Sequence, residues 1–235
     1  MSLRKRPASI PAGYHQLLSD LKHPGCPVCG AVARAVRRYL DALFWESVND
    51  PYLRPRLRAA HGFCREHALL ALSMALRKGD GHGVAILYRD FLGHLREEAI
   101  AAAGKRATSV ARRNRHGDPR LLAPHARCSA CESAAQTAEM DLGLLARAEP
   151  GSEIGRAARD SRGLCIPHLI QGIAVASAAE ECERLLDIYL RGDDRLRNDL
   201  DGYLRKQDYR FRHEGLSEEE STSWRRAVHR AIGGW

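Results

Sequence analysis

Apolar residues recur along most of this chain at intervals of three and four, the spacing of one face of a helix. From Cys29 the run AVARAVRRYLDALFWESV puts Val32, Val36, Tyr39, Leu40 and Leu43 on one stripe. NDP at 49–51 stops it, and Asp50 is placed to cap a short helix whose first residue is Pro51. Gly62 ends that helix. FCREHALLALSMALRK is the next one, closed by the glycine-rich GDGHG, and VAILYRDFLGHLREEAIAAA is a long helix ending at Gly104.

The second half repeats the plan. CSACESAAQTAEMDLGLLARA reads as a helix stopped by EPGS, SEIGRAARD as a short helix capped by Ser152, CIPHLIQGIAVASAAE as the next, and ERLLDIYLRGDDRLRNDLDGYL as the long closing one. No segment alternates apolar and polar residues over a strand's length, so the expected fold class is all-α.

The repeat has a chemical signature. Cys26-x-x-Cys29 is followed by Cys64-x-x-His67, and Cys128-x-x-Cys131 by Cys165-x-x-His168. Cys26 and Cys64 stand 38 residues apart, Cys128 and Cys165 37. The expected organisation is therefore two duplicated halves packed pseudo-symmetrically. A helical metal-binding repeat spans 12–104, a basic linker 105–123, a second repeat 124–205, and a C-terminal tail and helix 206–235.

A Cys-x-x-Cys pair at a helix start sets two sulfurs on one side of a tight turn, where free N–H groups and the helix dipole favour thiolates. A Cys-x-x-His pair offers the same arrangement. Together they supply a closed Cys3His set, suited to structural zinc. Cys26, Cys29, Cys64 and His67 are thus expected to form one site, and Cys128, Cys131, Cys165 and His168 the other. CPVCG also has the Pro-x-Cys-Gly form of a zinc knuckle, with Gly30 turning the backbone towards sulfur; CSACE lacks both residues. His23 and His125 each lie three residues before a first cysteine and are further candidate donors, as ligands or beside them. Cys182, within EECERLLDIYL, reads as a buried thiol.

Two zinc ions are the first cofactor expectation and two iron–sulfur clusters the alternative, since three cysteines and a histidine can hold either. The sequence has no close run of three cysteines of the ferredoxin kind. Covalent haem, a ferritin-like di-iron site, phosphate-binding loops, HExxH and Gly-x-Ser-x-Gly are all missing as motifs, and no catalytic residue is nominated.

Composition adds less. Lys and Arg number 37 against 29 Asp and Glu, a net charge of +8. The excess is confined to Arg4–Arg6 and to the linker between Lys105 and Arg120, so nucleic-acid contact is a weaker alternative, carried by residues 105–120. No apolar run approaches the roughly 20 residues of a membrane span. Without a signal peptide the cysteines should stay reduced, and a cytoplasmic protein with a protein partner is expected. In the tail, Tyr209, Phe211 and Trp224 are expected to dock a capped amphipathic helix on the helical body; Arg210, Arg212, Arg225 and Arg226 beside them could instead contact a partner.

CPVC…GFCREH, then GVAILYRDFL, then DYRFRHE…SWRRAV, resembles a bacterial family of unknown function over most of the chain. That resemblance implies a bacterial cytoplasmic protein and supplies no activity.

Overall fold

The computed structural model describes residues 11–109 and 123–234. The basic arm at 4–6 and the linker residues 110–122 lie outside the described residues. Ten α-helices are present and there is no strand among the described residues. They are α1 (Tyr14–Asp20), α2 (Pro27–Trp45), α3 (Leu53–Ala59), α4 (Arg65–Lys78), α5 (His82–Ser109), α6 (Ser129–Arg147), α7 (Glu153–Asp160), α8 (Ile166–Val175), α9 (Ala179–Arg205) and α10 (Glu218–Ile232). None is long and apolar enough to cross a membrane.

Local chemistry explains most of the boundaries. Ser152 caps α7 by accepting from the Gly155 N–H at 3.0 Å. Ser217 and Glu220 form a reciprocal capping box on α10. Gly79 closes α4 in the left-handed region at φ 68°. Two expectations are corrected. α3 begins at Leu53 and not at Pro51, because the Asp50 carboxylate accepts from the Tyr52 N–H at 2.8 Å and forms a turn first. α5 runs through Gly104 to Ser109, since that glycine does not take the positive φ that would end the helix.

The chain divides into two compact units, Met1–Ala33 with Gln136–Trp235, and Arg34–Ala135. These units do not follow the two halves expected at 12–104 and 124–205. Both boundaries fall inside a long helix, α2 and α6. Each unit therefore takes the N-terminal end of one of these helices and the C-terminal end of the other.

The first unit packs around Leu17, Leu142, Leu145, Leu164 and Leu185, all fully buried, with Val28 and Cys165 among them. Each such leucine contributes about 1.5–3 kcal/mol of burial. The loop ahead of α8 is held against α9 by a close backbone approach. A Cβ on Gly192 would overlap the Arg162 carbonyl oxygen and lie 3.0 Å from Gly163 Cα. Arg195 ties the same loop down from α9, bonding the carbonyls of Arg159 and Ser161.

α10 packs on α9 through Ser223, which is fully buried, and through arginines. Arg226 pairs with Asp199 at 2.8 Å. Arg230 lies over the Tyr189 ring at 4.3 Å, bonds the carbonyls of Arg162 and Tyr189, and pairs with Asp193 at 3.4 Å. The rings expected to dock the tail do little of this work: Tyr209 is 82% exposed and Trp224 51%.

The second unit buries Val36, Leu40, Leu43 and Phe44 of α2 together with Leu57, Phe63, Ala71 and Leu87. Phe44 and Phe63 meet edge to face at 6.0 Å. Gly83 admits the start of α5 against the Phe44 carbonyl, where a Cβ would overlap it. Cys182, expected buried, is only half-buried.

Gly192→Ala should destabilise the protein by about 2 kcal/mol, because the Arg162–Gly163 backbone leaves the added methyl nowhere to go. Gly93→Ala, within α5 and with nothing within 4 Å of the new Cβ, should stabilise by about 0.8 kcal/mol. Denaturant unfolding of the two variants checks both signs.

Candidate metal centres

The four donor stretches share one local design. Cys26, Cys64, Cys128 and Cys165 each stand immediately before a helix, and Cys29, His67, Cys131 and His168 occupy its third position. These two positions face each other across the first turn, as the members of a capping box do. The backbone reverses on a glycine of positive φ just ahead of three of these turns: Gly25 (104°), Gly62 (82°) and Gly163 (82°). Gly30 is not such a turn; it lies inside α2, so the zinc-knuckle reading of CPVCG is corrected.

The donors form two groups. Cys26, Cys29, Cys165 and His168 make one, and Cys64, His67, Cys128 and Cys131 the other, with the ligand atoms of each within 4.8 Å of one another. The pairing expected within each half is therefore corrected, because each Cys-x-x-Cys meets the Cys-x-x-His of the opposite half. Helix length gives the reason. The 19 residues of α2 and of α6 carry the chain about 28 Å from the Cys-x-x-Cys end. The following helices, α3 and α7, have only 7 and 8 residues and span about 10–12 Å.

In the first group His168 Nδ1 lies 3.5, 3.3 and 3.1 Å from the sulfurs of Cys26, Cys29 and Cys165. Cys29 Sγ and Cys165 Sγ are 3.6 Å apart. In the second, His67 Nδ1 lies 3.2, 3.7 and 3.3 Å from Cys64, Cys128 and Cys131, and Cys64 Sγ is 3.7 Å from Cys131 Sγ. All three cysteines of the first group are buried, and His67 is 9% exposed. No cysteine is in a disulfide among the described residues.

Crowding sets the ionisation. Burial opposes charge on Cys26, but hydrogen bonds from Cys165, Cys29 and His168 outweigh it and hold this thiol well below its usual value. Cys29 is then pushed up by hydrogen bonding to Cys165 and Cys26 and by burial. In the second group burial is again outweighed at Cys128, by His67 and by backbone N–H groups, and its thiol falls to about 6. Cys131 rises to about 12 through burial and the adjacent sulfurs of Cys64 and Cys128. Burial lowers His168, but bonding to Cys165 and Cys26 prevails and raises it to about 9.

DUF6062, a family of unknown function, matches residues 18–234, a span that takes in all eight donors. The chain belongs to this family. A similar protein from Caldicellulosiruptor sp. (strain Rt8B.4), described as an uncharacterized 23.9 kDa protein in the xynA 3′ region, is 26% identical over 218 residues, 92% of this chain and 99% of that one. No solved structure matches.

In this family member His23 and His125 are exposed and belong to neither group. The His125 N–H instead bonds the Ala59 carbonyl at 2.7 Å. One contributor has no signal in the sequence: the Gly234 N–H donates to Cys29 Sγ at 3.3 Å, so the C-terminal tail reaches the first group.

Two measurements test the centres. If the exchanged pairing is right, a C26S/C165S variant keeps one bound ion per chain and a C26S/C64S variant keeps none; pairing within halves reverses the two results. Binding of an ion must also displace protons. At pH 6–8, Cys131 in one group, and Cys29 and His168 in the other, still hold theirs. Affinity should therefore fall as pH falls through this window, by at least about tenfold per pH unit at the second group and at least about a hundredfold at the first. Competition titrations with a chromophoric chelator at several pH values read the slopes.

Proposed function

We propose that this protein is a zinc-stapled interaction or regulatory module, holding one zinc ion in each four-donor group and performing no chemistry there. Donor spacing carries the reading. Zinc bonds of about 2.3 Å to sulfur and 2.0–2.1 Å to nitrogen, at tetrahedral angles, separate sulfurs by about 3.8 Å and sulfur from nitrogen by about 3.6 Å. One sulfur pair in each group stands at 3.6 or 3.7 Å, and the sulfur–nitrogen pairs stand at 3.1–3.7 Å. Four protein donors complete a tetrahedron, which leaves no position for water or substrate.

An iron–sulfur cluster fits this spacing less well. It interposes its own iron and sulfide atoms between the ligands, whereas these donors gather around a single point.

Exposed apolar residues support an interaction role. Leu69 and Leu72 of α4 follow His67 by two and five residues, and are 51% and 50% exposed. Ile170 and Ile173 of α8 follow His168 by the same steps, at 63% and 41%. The helix that each Cys-x-x-His pair begins thus presents a similar stripe, suited to the apolar face of a protein partner.

Anaerobically purified protein should be colourless and contain two zinc ions per chain. Removing them with a strong chelator should lower both helix content and melting temperature, since a structural zinc site carries on the order of 10 kcal/mol of linked folding free energy. Brown protein containing iron and sulfide, or a metal-free chain that melts unchanged, would overturn the reading.

A further inference from the structure

The second unit carries a cluster of different chemistry outside both thiolate groups. On α5, His94 and Glu98 stand one turn apart, and His94 Nε2 lies 3.3 Å from Glu98 Oε1. The other carboxylate oxygen of Glu98, Oε2, lies 3.1 Å from His61 Nε2. Two imidazoles, from separate chain segments, thus converge through the same ring nitrogen on one carboxylate. His61 is nearly buried, with 12% of its side chain exposed.

The backbone makes His61 unusual. α3 ends in a Schellman motif, with the His61 N–H bonded to the Arg58 carbonyl at 3.0 Å and the Gly62 N–H to the Leu57 carbonyl at 2.7 Å. The first of these positions takes the left-handed conformation and strongly favours glycine. Here it is filled by histidine at φ 52°, the one described non-glycine residue with positive φ. A side chain where glycine would be easier carries a backbone cost, which marks His61 as a candidate for function. Phe91, one turn before His94 on α5, lies against the ring with centroids 6.3 Å apart, and His125 meets it edge-on at the same distance.

We propose that His61, His94 and Glu98 form a third metal site, made of nitrogen and oxygen donors, that takes a divalent transition-metal ion and leaves coordination positions open. Two histidines and a carboxylate are a ligand set for zinc, iron, cobalt or nickel, and three donors leave room for water or a further ligand. Of the three donors, His94 also lines a cleft of about 500 Å³ with Arg54, Arg58, Arg89 and Asp90. The three donor atoms are not gathered as tightly as the thiolate groups, because each imidazole now bonds a carboxylate oxygen. Closing on an ion exchanges those two hydrogen bonds for two Nε2–metal bonds, with each Nε2 proton passing to Nδ1 or to water. His94 and Glu98, 35% and 25% exposed, have room to turn.

The test uses the full chain with both thiolate groups filled with zinc, titrated with Co2+. A third equivalent should bind with a Kd below about 100 μM, giving a weak visible spectrum without thiolate-to-cobalt charge transfer. His61→Gly should weaken that step at least tenfold and melt no lower than the parent, because glycine suits the left-handed position. Glu98→Gln, on the helix surface, should weaken it as well. The proposal is overturned if the zinc-loaded chain binds no third cobalt, if the third ion shows thiolate charge transfer, or if His61→Gly or Glu98→Gln leaves the affinity unchanged.

Discussion

Three sulfurs and an imidazole nitrogen brought within 4.8 Å of one another cannot all carry the charge state that makes them good ligands unless a cation stands among them. The ionisation pattern expresses that constraint. In each group one thiol is driven to ionise, Cys26 or Cys128, and its neighbour, Cys29 or Cys131, is driven the other way. A dication of the kind proposed above would remove the conflict and turn four mutually opposed side chains into a clamp. The local design serves that clamp. Helix starts supply N–H groups to the sulfurs, and glycines turn the chain just ahead of the first donor.

The exchange of partners between halves shows which terms decide topology. Joining Cys29 to Cys165 closes 136 residues, about four times the span from Cys29 to Cys64. Loop-closure entropy charges only about 1 kcal/mol for that difference. Helix geometry is less forgiving, because a 19-residue helix cannot be retraced by one of seven or eight residues. The result is a nested molecule in which residues 34–135 form one unit and the sequences on either side of them form the other.

Much of this was legible from residue order alone. Helical periodicity marked every major helix, and the repeated Cys-x-x-Cys and Cys-x-x-His pairs marked all eight donors. Both signals are local, set within one or two turns. Which pairs meet is not local. Cys26 and Cys128 each open a Cys-x-x-Cys pair at a helix start, so nothing in the motif says whether Cys64 or Cys165 will face them. The Gly234 N–H was equally hidden, since a backbone group carries no side-chain signature. His61 carries no signal in the sequence beyond its residue type, since its meaning depends on a dihedral angle.

Nesting also orders events during synthesis. The first cysteine pair leaves the ribosome with its native partner still 136 residues away, a delay on the order of ten seconds at ordinary elongation rates. Cys64 and His67 emerge much earlier and offer the same donor types. The earliest complete ligand set in the nascent chain is thus a wrong one, and an ion captured too soon would join Cys26 and Cys29 to it. With ions bound as proposed above, maturation would require that premature clamp to surrender its metal once the inner unit has claimed Cys64 and His67.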